Sequence, residues 1–215
     1  GMTDQPDWTT PRYESWQLIE RTLLNPGSVG GGVFHLSIAA PASTKLQWLA
    51  GDIAEIGPRQ SVQAVDGLLS VVGLDRASQV MMDGESQNLG DVLSRSYLPA
   101  SDGQAVLSAQ ALADSLKPLP HREYSIASLP ADGTLQLAVR RMLRPDGSPG
   151  IGSSWLCDHA VPGSEIALRL RSNPNFHAPA RDRPMILIGN GTGMAGLRAH
   201  LKARVSADAR RNWLL

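Results

Sequence analysis

A mainly β fold with an α/β end is predicted: an antiparallel barrel or sandwich, a small helical insert, and one closing βαβ unit. Three observations point to it. Strand-like segments broken by Gly/Pro clusters fill residues 16–57. Helical spacing of apolar residues takes over between about 60 and 118. A continuous apolar run at 184–188 leads into a glycine-rich turn and a helix.

The elements follow in order. Residues 16–23 read as a mixed strand that stops at the turn cluster Asn25-Pro26-Gly27-Ser28. Residues 33–38 read as a half-buried strand, and 48–56 as a third ending at Gly57-Pro58. Three such strands between Gly/Pro turns suit a small antiparallel barrel or sandwich. Val65, Leu68, Leu69 and Val72 then share one helical face that ends at Gly73. Leu89, Val92 and Leu93 predict a short helix, and residues 108–116 a third before Lys117-Pro118. Strand character returns at 124–127 and, with clear alternation, at 135–139. Ser153 is expected to open a helix through Trp155, Leu156 and His159, and residues 165–170 alternate as another strand. The run at 184–188 has the character of a strand buried on both faces. A helix is predicted over 194–204, with Leu197, Leu201 and Val205 on one face, and a parallel strand at 212–215.

Composition bounds the function. The chain has 215 residues, 42% of them hydrophobic, and 20 basic against 20 acidic side chains cancel to zero net charge. That length suits one domain with room for part of a second, and a core that needs no cross-links. Zero net charge argues against a nucleic-acid partner, whose footprint is a basic excess. No apolar run approaches the ~20 residues of a membrane span, so a soluble, cytoplasmic protein is expected. Residues 1–7 lack the basic and apolar regions of a signal peptide. The single Cys157 permits neither an internal disulfide nor a cysteine-based metal cluster, which suits a reducing compartment. The five histidines show no pair at metal-ligand spacing, so no metal is expected.

Three motifs carry chemistry. Gly189-Asn190-Gly191-Thr192-Gly193 follows a strand and opens a helix, where backbone N–H groups can meet a pyrophosphate. Its G-x-G-x-G spacing misses the G-x-G-x-x-G dinucleotide fingerprint, so a plain strand–helix turn is equally compatible. Arg122, Tyr124 and Ser125 lie on one short strand. Arg can fork onto a phosphate, Tyr offers a flat face, and Ser a hydrogen bond to a ring nitrogen. Gly150-Ile151-Gly152-Ser153 precedes a helix with Ser as a candidate cap.

Taken together, Arg-x-Tyr-Ser-Ile-Ala-Ser (122–128), Gly-x-Gly-Ser-Ser-x-Leu (150–156) and Ile-Gly-x-Gly-Thr-Gly-Met-Ala (188–195) resemble the ferredoxin–NADP reductase superfamily. The nearest likeness is the FAD/NADPH module of sulfite reductase flavoproteins and related diflavin reductases. The resemblance runs from about Leu18 onward and is strongest after Pro120. It implies an FAD-binding barrel over 1–180, with the insert at about 60–118 as a shortened connecting segment, and the start of an NADP-binding domain over 181–215. It implies that Arg122 contacts the FAD pyrophosphate and that Tyr124 packs against the isoalloxazine or ribityl. Ser125 is then the catalytic hydrogen-bonding residue near flavin N5. Ala138, Val139 and Arg140 hold further FAD-contact positions, and Gly150, Ile151, Gly152 and Ser153 cradle the FAD phosphates. Gly191, Thr192 and Gly193 face NADPH.

The implied activity passes electrons from NADPH through FAD to a protein acceptor, as part of a larger reductase. The alternative is a non-catalytic FAD-binding or interaction fragment without NADPH competence. Gly196 stands where the family has Pro, and the sequence ends after one βαβ unit, ahead of the family's adenosine 2′-phosphate site. The uncovered apolar faces of such a unit predict self-association or disorder of residues 184–215.

Overall fold

The computed structural model describes residues 12–100, 108–189 and 191–215. The expectation for residues 1–7 and the Asn190 position of the glycine turn lie outside them.

Six strands make one antiparallel sheet: β1 (Glu14–Leu23), β2 (Val33–Ala39), β3 (Ile53–Gly57), β6 (Arg122–Ser125), β7 (Leu135–Arg140) and β8 (Glu165–Arg171), in the order β6-β3-β8-β1-β2-β7. Alternation drives it. Trp16, Leu18, Leu36, Ile38, Ile56, Leu137 and Ile166 point inward and are almost fully buried, which removes roughly 1.5–3 kcal/mol worth of apolar surface per side chain from water. A register shift between Leu18 and Glu20 bulges β1 and leaves Ile19 facing outward.

The predicted barrel does not close by a strand ladder. The edges β6 and β7 meet just beyond their ends, where the Ala127 N–H donates to the Gln136 carbonyl (2.8 Å) and the Gln136 N–H to the Ser128 hydroxyl (2.9 Å). The turn at 150–152 packs against the Arg122 and Tyr124 side chains of β6. The result is a curled, open sheet.

The insert has its own core of Val65, Leu69, Val80, Leu89, Val92, Leu93 and Leu112. It comprises α1 (Val62–Val72), the hairpin β4 (Gln79–Met82) and β5 (Glu85–Asn88), α2 (Leu89–Ser94) and α3 (Ala109–Ser115). Ser61 and Ser108 cap α1 and α3 through their side-chain oxygens, and Gly73 ends α1 in the left-handed region. The hairpin was absent from the sequence reading. Its signal is Asp83-Gly84, both at positive φ, the pair that a two-residue hairpin turn favours.

Beyond β7, α4 (Ile151–Ser154) continues as a π-helical turn over Trp155–His159, whose end carbonyls at Leu156 and Ala160 accept from Arg21. The last unit holds β9 (Met185–Leu187), α5 (Met194–Ser206) and β10 (Asn212–Leu214), with β9 and β10 parallel. No helix among the described residues is long and apolar enough to cross a membrane.

Four expectations need correction. The strand expected over 48–56 runs only over 53–57, because Gly51 at φ +97° turns the chain and the Trp48 indole instead donates to Ser128 O (2.8 Å). The helix near Ser153 starts at Ile151 with Gly150 as its cap, since the Ser153 hydroxyl bonds the neighbouring loop. The run at 184–188 is buried on one face alone: Ile186 is 64% and Ile188 72% exposed, as α5 covers a single side. Helix α5 buries Ala195, Gly196, Leu197, Ala199 and His200 while Val205 faces out, because its small residues let the helix approach the sheet closely.

Candidate functional site

The three sequence motifs converge in space. Strand β6 is an edge and presents Arg122 and Ser125 outward, with Tyr124 half-buried against the core. The turn before α4 folds back onto it. A Cβ at Gly152 would lie 2.4 Å from Arg122 Cγ and 3.1 Å from Tyr124 Oη, so glycine is what allows this approach. The third motif closes from the other side. A Cβ at Gly196 would lie 3.3 Å from Ser125 Cβ, and one at Gly191 would lie 3.1 Å from Arg140 Nη2. Gly191 itself sits at φ +51° in a tight turn ahead of α5, followed by Thr192 and Gly193.

The charges here lack carboxylate partners. Arg122 donates to its neighbour's carbonyl at His121 (3.3 Å) and Arg140 to Gly31 O (3.3 Å), and neither forms an ion pair among the described residues. Burial, and then the nearby Cys157, push the Tyr124 phenol up to about 12, so it stays protonated and able to donate. The Ser125 hydroxyl has no hydrogen-bond partner among the described residues and is free to meet a ligand.

The other expected residues take different roles. Ser153 Oγ accepts from Met142 N (3.0 Å) and lies 3.3 Å from Gly150 O, so it locks the turn. Gly150 and Ile151 shape that turn's entry. Val139 points into the core, so its backbone is what it offers a ligand, whereas Ala138 and Arg140 are half-buried on the opposite face. Cys157 is a packed core residue whose thiol burial pushes up to about 11.

Several supporting side chains escaped the sequence reading. Arg198 on α5 donates to Gln136 Oε1 (2.8 Å) and Ala127 O (3.2 Å), while His35 shares the same Gln136 oxygen at 3.0 Å. Lys202 pairs with Asp132 at 2.6 Å. These contacts fasten α5 to the sheet beside Ser125. They join residues far apart in sequence and carry no local motif.

Two guanidiniums without ion pairs, a glycine turn, a protonated phenol and a hydroxyl gathered on neighbouring elements suit an aromatic ligand bearing phosphates. A flavin dinucleotide fits that donor set. Among the described residues, no cluster of three or more His, Cys, Asp or Glu side chains could hold a metal ion.

Comparison with known proteins bears on this site. No family model matches the chain. The sulfite reductase (NADPH) flavoprotein alpha-component of Mannheimia succiniciproducens is 36% identical over 121 residues, which are 53% of this chain and 20% of that protein. The same component from Salmonella typhi is 38% identical over 117 residues, 51% of this chain and 20% of that protein. The chain therefore spans about a fifth of the length of these curated relatives. A ferredoxin-NADP+ reductase from Plasmodium falciparum, solved with 2′P-AMP, matches 89% of this chain and 51% of its own, with a TM-score of 0.53 and 16% identity. That likeness establishes the fold: a large antiparallel sheet followed by an α/β unit, as in that reductase.

Proposed function

We propose that this chain is the FAD-binding part of an NADPH-dependent oxidoreductase that passes electrons to a protein acceptor. The observation that carries this reading is the convergence of Arg122, Tyr124 and Ser125 with Gly152 on one side and Gly196 on the other. The flavoprotein relatives that share half the chain support the same reading. When bound, the flavin supplies hydride acceptance and single-electron release.

The chain's own residues bind and orient. Arg122 and Arg140 would neutralise the pyrophosphate. The 150–153 turn brings backbone N–H groups against it, with Ser153 holding the turn's shape. Tyr124 packs along the flavin and donates from a phenol that burial keeps protonated. Ser125 would offer its hydroxyl near flavin N5. Gly191, Thr192 and Gly193 would face the nicotinamide nucleotide, and Gly196 lets α5 pack closely beside Ser125.

Visible absorption tests this. After incubation with FAD and desalting, a retained flavin band is expected, and anaerobic NADPH should bleach it. Ser125→Ala should keep the band and slow the bleaching. A band that NADPH never bleaches points to the binding-only alternative. No retained band overturns the proposal.

We extend the proposal to the exposed apolar residues Ile186, Ile188, Trp213 and Leu215, which lie 64–72% open on the β9–β10 unit and suit pairing with a second copy. Light scattering should show a mass that rises with concentration, and Ile186→Glu with Trp213→Lys should hold it at one chain. An unmodified protein that stays at one chain throughout overturns this part.

A further inference from the structure

A second cationic cleft lies between the sheet and the helical insert, independent of the flavin slot. Its volume is about 620 Å³, and Tyr13, Arg59, Gln87, Arg95, Ser96 and His121 line it. We infer that this cleft binds a phosphate-bearing small anion, with Arg59 and Arg95 as its two guanidinium ligands.

Both guanidiniums are held in place before any ligand arrives. Arg59 Nη1 donates to the carbonyls of its own turn, Gly57 O (3.2 Å) and Pro58 O (3.1 Å). Arg95 donates to the Gln87 side-chain oxygen. The walls are tied by backbone bonds: Gln60 N to Ser94 O (2.7 Å), Leu119 N to Arg95 O (2.8 Å) and Tyr97 N to Lys117 O (2.9 Å). Gln60 Nε2 adds a bond to Ser96 O (3.0 Å). The cleft therefore has a fixed shape.

Neither guanidinium has a carboxylate within ion-pair distance among the described residues. Asp83 is the one carboxylate on the lining, at the exposed hairpin tip, and it pairs with neither. Burial, and then the charge of Arg95, lower the Arg59 pKa against smaller opposing effects of Tyr13, Asp91 and Glu165, although a guanidinium stays protonated at neutral pH. Two like charges facing one half-buried space repel, and a dianion between them relieves both that repulsion and their lost hydration. Tyr13 adds a hydroxyl, while Ser96 Oγ donates to Val92 O (2.7 Å) and His121 at the rim faces Glu55 (3.4 Å) and Glu123 (4.0 Å). The volume falls in the range of small-molecule sites and leaves space for an organic group on the phosphate.

Calorimetric titration at constant ionic strength tests this on the full chain with excess FAD present, so that the flavin slot is filled. The probes are inorganic phosphate, pyrophosphate and glycerol phosphate. Saturable binding of at least one is expected, weakened about tenfold or more by Arg59→Gln and by Arg95→Gln and left unchanged by Arg122→Ala. Glycerol phosphate binding more tightly than inorganic phosphate identifies an organic phosphate as the natural ligand, and the reverse order identifies free phosphate. Arg95→Lys keeps the charge but loses the fork, and its weakening should be smaller than that of Arg95→Gln. Circular dichroism checks that each variant folds; should Arg59→Gln fail, the Arg95 pair still decides. Absence of saturable binding in the millimolar range overturns the inference. So does binding that survives both glutamine substitutions or is lost in Arg122→Ala.

Discussion

Replacing Arg122 with Ala should weaken FAD binding by roughly 10–100-fold, the cost of one charge-assisted hydrogen-bonding partner to a phosphate. The side chain is exposed, makes no ion pair among the described residues, and donates to a single neighbouring carbonyl. Its removal therefore costs little in folding. Arg122→Lys should fall between the two, because an ammonium keeps the charge and loses the planar fork. Fluorescence quenching of added FAD reads the affinity, and thermal melting of the apoprotein reads the fold. An unchanged FAD affinity in Arg122→Ala would remove the pyrophosphate role. A large fall in apoprotein Tm would show that the residue is structural.

Gly51→Ala should destabilise the protein by about 2–4 kcal/mol, from strain at positive φ plus a forced backbone shift. Gly51 sits at φ +97°, and an added Cβ would meet Phe176 O at 2.2 Å and His200 Nε2 at 2.9 Å. The contact lies at the joint between the sheet and the α/β unit. On one side, buried Asp52 accepts from Leu49 N (2.8 Å), Asn173 N (3.0 Å) and His177 Nε2 (2.7 Å). On the other, the Phe176 and His200 rings pack edge to face at 4.9 Å. The substitution pushes these two halves apart. For a chain of this size the Tm should fall by roughly 5–15 °C. Gly67→Ala is the contrast: it lies on the exposed face of α1 with nothing near its Cβ, and should be neutral or stabilising by about 0.5–1 kcal/mol. A Gly51→Ala melting curve that overlays the unmodified one would show that the joint yields without cost.

Much of the fold was legible from local signals. Period-two alternation marks β7 and β8 and part of β2, and Gly73 and Ser108 mark helix ends that the structure keeps. The third strand came out too long because Trp48 and Leu49 look strand-like, while Gly51 was not weighed as a turn. On helix α5 the predicted face holds at Leu197 and fails at Val205, because alanines and a glycine, rather than large apolar residues alone, permit the close approach.

For the site, the chemistry of Arg122, Tyr124, Ser125 and the two glycine turns, together with the family resemblance of their ordered motifs, points to these residues. Those residues are few, chemically distinctive and adjacent in sequence, so their local pattern survives any ambiguity in packing. Their assembly depends on contacts between segments dozens of residues apart: Gly152 against Arg122, Gly196 against Ser125, Arg198 against Gln136. Nothing local encodes such distances, and the same is true of the open sheet edge and of the Arg59–Arg95 cleft, which exists because the insert's backbone is tied to the 57–60 turn. Chemical type and local conformation are properties of neighbouring residues and can be read from the chain. Which groups share one space, and which charges are left unpaired there, follows from how the folded segments pack.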